Sequence, residues 1–364
     1  MQNKQTNTEG ARSMCTSAKT THFLQKQNHK HKAKQNKQTK TEGLTRAKGF
    51  STSARRMARL LLLAGAPLLI IQFVVLMGNC PLSDQQDIDQ TEFYAGVREV
   101  TKAAWRHKRT AWAFEKNDDE ITSNMMTTNG FIHAAHMTMR MKDIANGVLA
   151  PVCSSWTKLN MGTSCRSKDS PNGNTRLAYV REANCMVSRT MILVWMQSAC
   201  KNFVVVEQPI TSYMQYYGRF KEWMDAFDVT RAYVNLEWFG APHDKKIYLY
   251  SPYKWITEIV DFTTHDPGWS KKLKTQHEVS HNTVDKRGKK SYHGGKDLKQ
   301  TQAYPRGFGE AIQKLFERHR PEVEAAVRKA EQALGSLDMS NVIFKKVKDK
   351  WTDAELGSVW KELC

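Results

Sequence analysis

The stretch FVVVEQP, residues 203–209, begins with four consecutive apolar residues, which are followed by one acid, Glu207. It predicts a strand, and the chain outward from it alternates strands with helices. Strands are predicted at TEFYAG, TAWAF and GVLAP, and helices at VREVTKAAWRH, GFIHAAHMTMRMKDIA and RLAYVREANCMVSRTMILVWMQSAC. This alternation predicts an α/β fold, a doubly wound, Rossmann-like sheet with helices on both faces.

The predicted strands end at residues that can carry chemistry: Gly96, Glu115, Cys153 and Glu207. In doubly wound sheets, ligands bind beyond the carboxyl ends of the strands. Glu115 follows Gly96 by 19 residues. A glycine turn followed about 20 residues later by an acid is typical of nucleoside-binding sites, where the acid binds ribose hydroxyls. These four residues are therefore the first candidates for a functional site.

Cys153 admits two interpretations from its surroundings, VLAPVCSSW at residues 148–156. A cysteine at the end of an apolar run can be a small core residue, because cysteines are often buried. It can equally be a nucleophile that lies where a strand opens into a polar loop. Glu207 has a similar pair of interpretations, as a capping or ion-paired acid or as an acid that takes part in catalysis.

Composition excludes several classes of protein. The chain has 364 residues, of which 40% are hydrophobic, so it can bury a sizeable core. Seven cysteines without a CxxC pair do not match a disulfide scaffold or a zinc ribbon, and they favour reduced thiols inside the cell. His133 and His136 lie three residues apart without a third ligand nearby, so no metal site is predicted.

The formal charge of +19 is concentrated in two clusters. Residues 1–59 carry fourteen Lys and Arg against two Glu, and residues 271–300 carry nine against three acids. Residues 1–58 also lack apolar periodicity, which predicts a disordered basic tail. Both clusters can be solvated surface, or they can attract phosphate or an anionic membrane. In the second cluster the candidate nucleic-acid contacts are Lys286, Arg287, Lys289 and Lys290.

An apolar segment follows the tail. Residues 60–78 contain no charged side chain, and this length is close to what a helix needs to cross a bilayer. Arg55, Arg56 and Arg59 lie before the segment and favour a cytoplasmic position for that side. One interpretation is a single membrane span over residues 59–80. The other is a helix buried against an intracellular or nuclear domain.

Four blocks occur in one order along the chain: FYAG, APVCSSW, VVVEQP and FGAPHDKKIYLYS. Together they resemble the cytosine-5 DNA methyltransferases, which use S-adenosylmethionine, over roughly residues 90–308. LKQTQAYPRGF, residues 298–308, loosely resembles a closing block of that family. The resemblance implies a sheet of the S-adenosylmethionine-dependent methyltransferase type. It also implies a cofactor site made by Tyr94, Ala95, Gly96, Glu115 and Pro151.

The same resemblance assigns chemistry to other residues. Cys153 would be the nucleophile, and Glu207 would be the acid that contacts the flipped base. Lys245 would replace an arginine that orients cofactor and base, and Lys246 would contact nucleic acid. Arg98 lies near the expected second glycine of the cofactor turn, where it would either obstruct the methionine carboxylate or pair with it.

The implied reaction is covalent catalysis on cytosine. Attack of a thiolate on ring carbon six activates ring carbon five, which divides one difficult step into two. The thiol of Cys153 is therefore expected to have a lowered pKa. Glu207 is expected to hold a proton on the ring nitrogen. The target base must first leave its stack.

The resemblance and the composition together divide the chain into five regions. These are a disordered basic tail (1–58), the apolar segment (59–80), a methyltransferase-like domain (88–255), a basic loop region that is a reduced target-recognition remnant (256–308), and C-terminal helices broken at Pro321 (309–364). The expected function is S-adenosylmethionine-dependent methylation of cytosine in DNA or RNA by a monomer. The alternative is a catalytically inactive protein of the same fold that binds nucleic acid or a protein partner, with or without a membrane anchor.

Overall fold

The computed structural model describes residues 51–78, 85–263, 280–284, 288, 290–294 and 301–335, all within one compact unit. The helices are α1 (Thr52–Leu63), α2 (Leu68–Met77), α3 (Glu99–Arg106), α4 (Thr128–Met139), α5 (Met161–Ser164), α6 (Ala178–Ala199), α7 (Gly218–Ala226) and α8 (Arg306–Gly335). The strands are β1 (Ile88–Phe93), β2 (Ala111–Phe114), β3 (Met141–Leu149), β4 (Phe203–Pro209), β5 (Thr230–Asn235), β6 (Lys246–Ser251), β7 (Ser280–Val284) and β8 (Lys290–Gly294). Short 3-10 turns lie at Lys158–Asn160, Met214–Tyr216, Leu236–Phe239 and Lys254–Phe262.

Six strands form one sheet in the order β2-β1-β3-β4-β6-β5. The first four are parallel, with Val148 of β3 opposite Val205 of β4. Strand β6 runs antiparallel between β4 and β5, and its Leu249 lies between Glu207 and Ala232. Strands β7 and β8 form a separate antiparallel hairpin. The prediction of an α/β fold with a mostly parallel sheet flanked by helices is confirmed.

Helices cover both faces of the sheet. On one face, Phe308, Ile312 and Leu315 of α8 share a core with Phe203 and Val205 of β4. On the other face, α6 lies against β3, where the side chain of Gln197 contacts Gly147. Because adjacent residues of a strand point to opposite faces, Gly147 faces the α6 side of the sheet and Val148 faces the α8 side. This burial on both sides explains the four consecutive apolar residues at the start of β4.

Two sequence-predicted elements differ from the structure. The helix predicted at GFIHAAHMTMRMKDIA ends at Met139, and β3 begins at Met141. The chain changes from helix to strand at this point because Met141 pairs with Ile88 of β1. The Ile88 amide also donates to the carbonyl of Arg140. The break predicted at Pro321 is absent, since α8 continues through it. Phe316 and Val323 are buried on either side of Pro321, so packing holds the helix together there.

The apolar segment forms a hairpin of two short helices, α1 and α2. Helix α1 begins at Thr52, inside the range predicted as disordered tail, because Ser51 caps it by accepting from the Ala54 amide. Phe73 of α2 stacks on Phe131 of α4 with ring centroids 4.9 Å apart. The hairpin therefore packs on the domain. Of the helices that the structure describes, none has both the length and the apolar character needed to cross a membrane.

Candidate functional site

The connections of β1 and β3 define the point where a ligand would bind. Strand β1 connects to β2 on one side, and β3 connects to β4 on the other, although β1 and β3 are neighbours. Ligands of open α/β sheets bind at such a switch point, outside the carboxyl ends of the strands. Residues 94–96 follow β1, and residues 150–153 follow β3. The structure thus places two of the predicted blocks at one edge of the sheet.

The turn after β1 brings Gly96 and Glu115 together. The Gly96 amide donates to Oε2 of Glu115 at 2.8 Å. Gly96 has φ +50°, and a Cβ atom there would meet nothing within 4 Å, so the turn opens into free space. Ala95 is buried, and Tyr94 turns its ring towards α6, where its hydroxyl lies 2.6 Å from Oγ1 of Thr190. Gly96 and Glu115 are therefore the members of the predicted cofactor set that face this space.

Glu92, in β1, holds the helix that follows the same turn. Its Oε2 accepts from the Thr101 amide at 2.7 Å and from the Thr101 hydroxyl at 2.6 Å, which fixes the first turn of α3. The side chain is 1% exposed. Burial raises the pKa of Glu92 to about 7, against the opposing effect of the Thr101 hydrogen bonds. Sequence reasoning missed this residue, although an acid inside the apolar strand TEFYAG was a signal.

Arg98 forms an ion pair close to the turn. Its guanidinium pairs with the carboxylate of Asp118 in the loop after β2. Its backbone has φ +61°, a left-handed conformation that residues other than glycine adopt at a cost. The Asp118 amide in turn donates to the carbonyl of Glu115 at 2.9 Å, so Arg98 is tied to the same loop as Glu115, and its two alternative roles stay predictions.

Three separate segments meet at the end of β4. Glu207 is buried near the carboxyl end of β4. Nζ of Lys245 lies 3.5 Å from its Oε1. Cys153 lies close enough to both for each charge to act on its thiol. The structure therefore brings together Cys153, Glu207 and Lys245, the three predicted catalytic residues.

The expectation of a lowered pKa for Cys153 is wrong for the protein as described. Burial of the thiol and the neighbouring carboxylate of Glu207 raise the pKa of Cys153 to about 11, although Lys245 opposes them. The polar residues that follow in the sequence do not prevent this, because Pro151, Ser155 and Trp156 of the same loop are buried. The thiol is consequently neutral near pH 7.

The loop that carries Cys153 is held from two sides. The Gln208 side chain donates to the carbonyl of Pro151 at 2.8 Å and accepts from the Ser212 hydroxyl at 3.0 Å. Further along the loop, the guanidinium of Arg166 lies 3.4 Å from the ring centroid of Trp156. These contacts fix the backbone of the loop next to Glu207.

Tyr304 completes the surroundings of Glu207, and sequence reasoning did not single it out. Its hydroxyl donates to Oε2 of Glu207 at 3.2 Å. Burial raises its pKa, and the Glu207 carboxylate raises it further. The tyrosine lies in the segment AYPRGF that precedes α8, which the family resemblance covers only loosely. No local pattern shows that a residue 97 positions after Glu207 reaches its carboxylate.

The predicted nucleic-acid contacts are only partly covered by the structure. Lys246 is exposed at the start of β6, and its Nζ lies 3.2 Å from Oδ2 of Asp244. Lys286, Arg287 and Lys289 lie outside the described residues. Lys290 begins β8, but its side chain is outside the described part of the chain.

The site thus combines an open glycine turn, an acid on the neighbouring strand, and a cysteine beside a buried carboxylate. All of them lie at the carboxyl edge of a mostly parallel sheet. Comparison of the chain with protein-family models, with curated proteins and with solved structures finds no match.

Proposed function

We propose that this protein is an S-adenosylmethionine-dependent methyltransferase that acts on cytosine in nucleic acid. The observation that carries the proposal is the meeting of Cys153, Glu207 and Lys245 at the edge of the sheet. A nucleophile, an acid and a cation are what addition of a thiol to cytosine requires. Their order and spacing in the sequence resemble the cytosine-5 methyltransferases.

The cofactor site is supported by the fit of the turn after β1. The open space at Gly96 allows a ligand to approach the backbone closely. Glu115 offers a carboxylate beside it, although one of its oxygens already accepts from the Gly96 amide. A ribose hydroxyl can share that carboxylate, because each oxygen accepts more than one hydrogen bond. S-adenosylmethionine would supply the methyl group when bound there.

Each protein group then has a defined task. As the sulfur of Cys153 forms a bond to ring carbon six of cytosine, the thiol proton passes to the carboxylate of Glu207, which then donates it to the ring nitrogen. Lys245 balances the charge of the carboxylate. After transfer of the methyl group, a water molecule takes the proton from ring carbon five, the bond to sulfur breaks, and the proton on the ring nitrogen returns through Glu207 to the sulfur. A base must enter between these groups for any of this to occur, so the target nucleotide is flipped out of its stack.

A trapping experiment tests the proposal. We expect DNA or RNA that carries 5-fluorocytosine to form a covalent complex with the protein, because fluorine cannot leave as a proton does and the sulfur–carbon bond persists. The complex should resist denaturant, require S-adenosylmethionine and be absent from Cys153→Ser. Single-stranded and duplex forms of both nucleic acids are the probes, read by denaturing electrophoresis and mass spectrometry. A parent protein that forms no complex with any of the four probes would contradict the proposal.

A second candidate function is favoured by the state of Cys153. A neutral, half-buried thiol is what we expect in a catalytically inactive domain of the same fold. Such a protein would bind nucleic acid or a protein partner without methylation. Titration calorimetry separates the two candidates: the enzyme binds S-adenosylmethionine and loses affinity in Glu115→Ala, whereas a retired domain shows no heat.

A further inference from the structure

The two carboxylate oxygens of Glu207 have different surroundings. Oε2 accepts a hydrogen bond from the hydroxyl of Tyr304 at 3.2 Å. Oε1 lies 3.5 Å from Nζ of Lys245, which is an ion pair but too long for a good hydrogen bond. Among the described residues, Oε1 has no hydrogen-bond partner. A hydrogen bond from the protein therefore fixes Oε2, whereas Oε1 can accept a hydrogen bond from a ligand.

The position of the Tyr304 hydroxyl is set by packing. The residue is 7% exposed, and its ring lies 4.7 Å from that of Phe308, centroid to centroid. Phe308 in turn contacts Phe239, which follows β5. Next in α8, Gly309 lies directly against the backbone of Glu99 in α3. Because these contacts fix the start of α8, the hydroxyl of Tyr304 cannot move with Glu207 if the carboxylate rotates.

Within the described part of the chain, four charged or titratable groups act on Tyr304. They are Glu207, Glu92, Lys245 and Cys153. Burial and the two carboxylates raise the pKa of the phenol, so the tyrosine keeps its proton and acts only as a donor. A phenylalanine would fill the same space without burying a hydroxyl, which indicates that the hydrogen bond itself has a use.

We propose that Tyr304 is a positioning residue, which holds Oε2 of Glu207 so that Oε1 is presented to the ring nitrogen of the target cytosine. This inference rests on the proposed function. It assigns the proton transfer to one oxygen and gives the segment before α8 a role in the chemistry, without contact between Tyr304 and the base.

The test compares Tyr304→Phe with the parent in the trapping reaction, on whichever 5-fluorocytosine probe traps the parent. We expect the maximal trapping rate to fall by roughly tenfold to a hundredfold, the range for loss of a hydrogen bond to a charged group. The probe concentration at half-maximal rate and the affinity for S-adenosylmethionine should stay unchanged, while the thermal midpoint falls slightly, because one buried hydrogen bond is lost from the folded protein. A purely structural role would lower the thermal midpoint and weaken binding without slowing the trapping of bound probe.

Tyr253→Phe is the matched control. Tyr253 is a partly buried tyrosine that packs on the same core, and its hydroxyl donates to the carbonyl of Lys201 at 2.6 Å. Its loss should leave the trapping rate unchanged. Trapping by Tyr304→Phe at the parental rate would overturn this inference alone. Absence of trapping in the parent would overturn the proposed function and, with it, the inference that rests on it.

Discussion

Single residues at this site act on one another through charge and burial. Burial and the carboxylate of Glu207 raise the pKa of Cys153 to about 11, and the ammonium of Lys245 lowers it. The thiol therefore responds to any change in its two neighbours. A bound base that takes a proton from one of them, or a bound cation near the sulfur, changes the fraction of thiolate.

Removing the carboxylate should make the thiol more reactive. In Glu207→Gln the negative neighbour is gone, so the pKa of Cys153 falls and its alkylation by iodoacetamide at about pH 8 speeds up. Each unit of pKa corresponds to roughly a tenfold change in thiolate. Lys245→Met should have the opposite effect. Mass spectrometry of the Cys153 peptide measures both, with exposed Cys165 as the internal reference; equal rates in parent and both variants would contradict the coupling.

Glu92 should make the stability of the protein depend on pH. Its pKa of about 7 in the folded protein lies above the ordinary value of 4.5, so the unfolded chain loses this proton first. Stability from this group is therefore complete below about pH 4.5 and is lost as pH rises towards and through 7. Glu92→Gln keeps an acceptor for Thr101 but cannot ionise, so its stability should not fall in this pH range. Relative to the parent it should gain on the order of 3 kcal/mol between about pH 5 and pH 8.

Urea unfolding at both pH values measures the Glu92 effect. The control is Glu120→Gln, because the Glu120 side chain is 81% exposed. A difference between Glu92→Gln and the parent that does not vary with pH would show that the carboxyl titrates normally in the folded protein.

At the scale of elements, α8 determines the geometry of the sheet edge that carries the candidate site. It crosses α3 at Gly309, where a Cβ atom would come 2.8 Å from the carbonyl carbon of Glu99 and closer still to its oxygen. Close approach at this crossing places both the turn after β1 and the tyrosine before α8. Ion pairs of Glu310 with Arg106 and His107 hold the rim of the same contact.

Gly309→Ala should force α3 and α8 apart. The added methyl group meets backbone, which cannot move aside, so we expect a loss of roughly 1–3 kcal/mol of unfolding free energy. Affinity for S-adenosylmethionine should fall as well, since α3 carries the Gly96 turn. Gly335→Ala in the same helix is the control, because its Cβ would meet nothing within 4 Å. Equal stability of the two variants would contradict the close crossing.

At the scale of the whole molecule, the α1–α2 hairpin belongs to the folded unit. Arg56 pairs with Asp143 at the start of β3 and with Glu331 near the end of α8. Arg59 donates to the carbonyl of Leu334 at 3.0 Å. The hairpin thus joins the amino edge of the sheet to the far end of the long helix, opposite to the candidate site.

Phe73→Ala in the full chain tests the role of the hairpin. Phe73 is 1% exposed and stacks on Phe131, so its truncation should cost about 3–5 kcal/mol of unfolding free energy. Leu68→Ala, at a residue that is 60% exposed, should cost far less. Thermal and urea unfolding measure both. Similar small effects of the two changes would mean that α2 does not share the core.

Local patterns predicted the parts of this molecule that depend on neighbouring residues in the chain. The apolar run of β4 and the interval between Gly96 and Glu115 are of this kind, and the structure has the strand and the contact. The pKa of Cys153 depends on burial by distant segments, so its direction could not be predicted from adjacent serines. Tyr304 reaches Glu207 only through the path of α8. The insertion of β6 between β4 and β5 likewise follows from tertiary pairing and has no sequence signal.

The position of β6 has a consequence for the synthesis of the chain. Strand β5 leaves the ribosome before β6, yet among the described strands β6 is its only partner in the sheet. The edge of β4 therefore stays open on the nascent chain until residue 251 has emerged. Glu207 gains Lys245 at that stage and Tyr304 only after a further stretch of translation. A nascent chain that stops earlier holds Cys153 without this completed set of neighbours, so the site is assembled only after residue 304 has emerged.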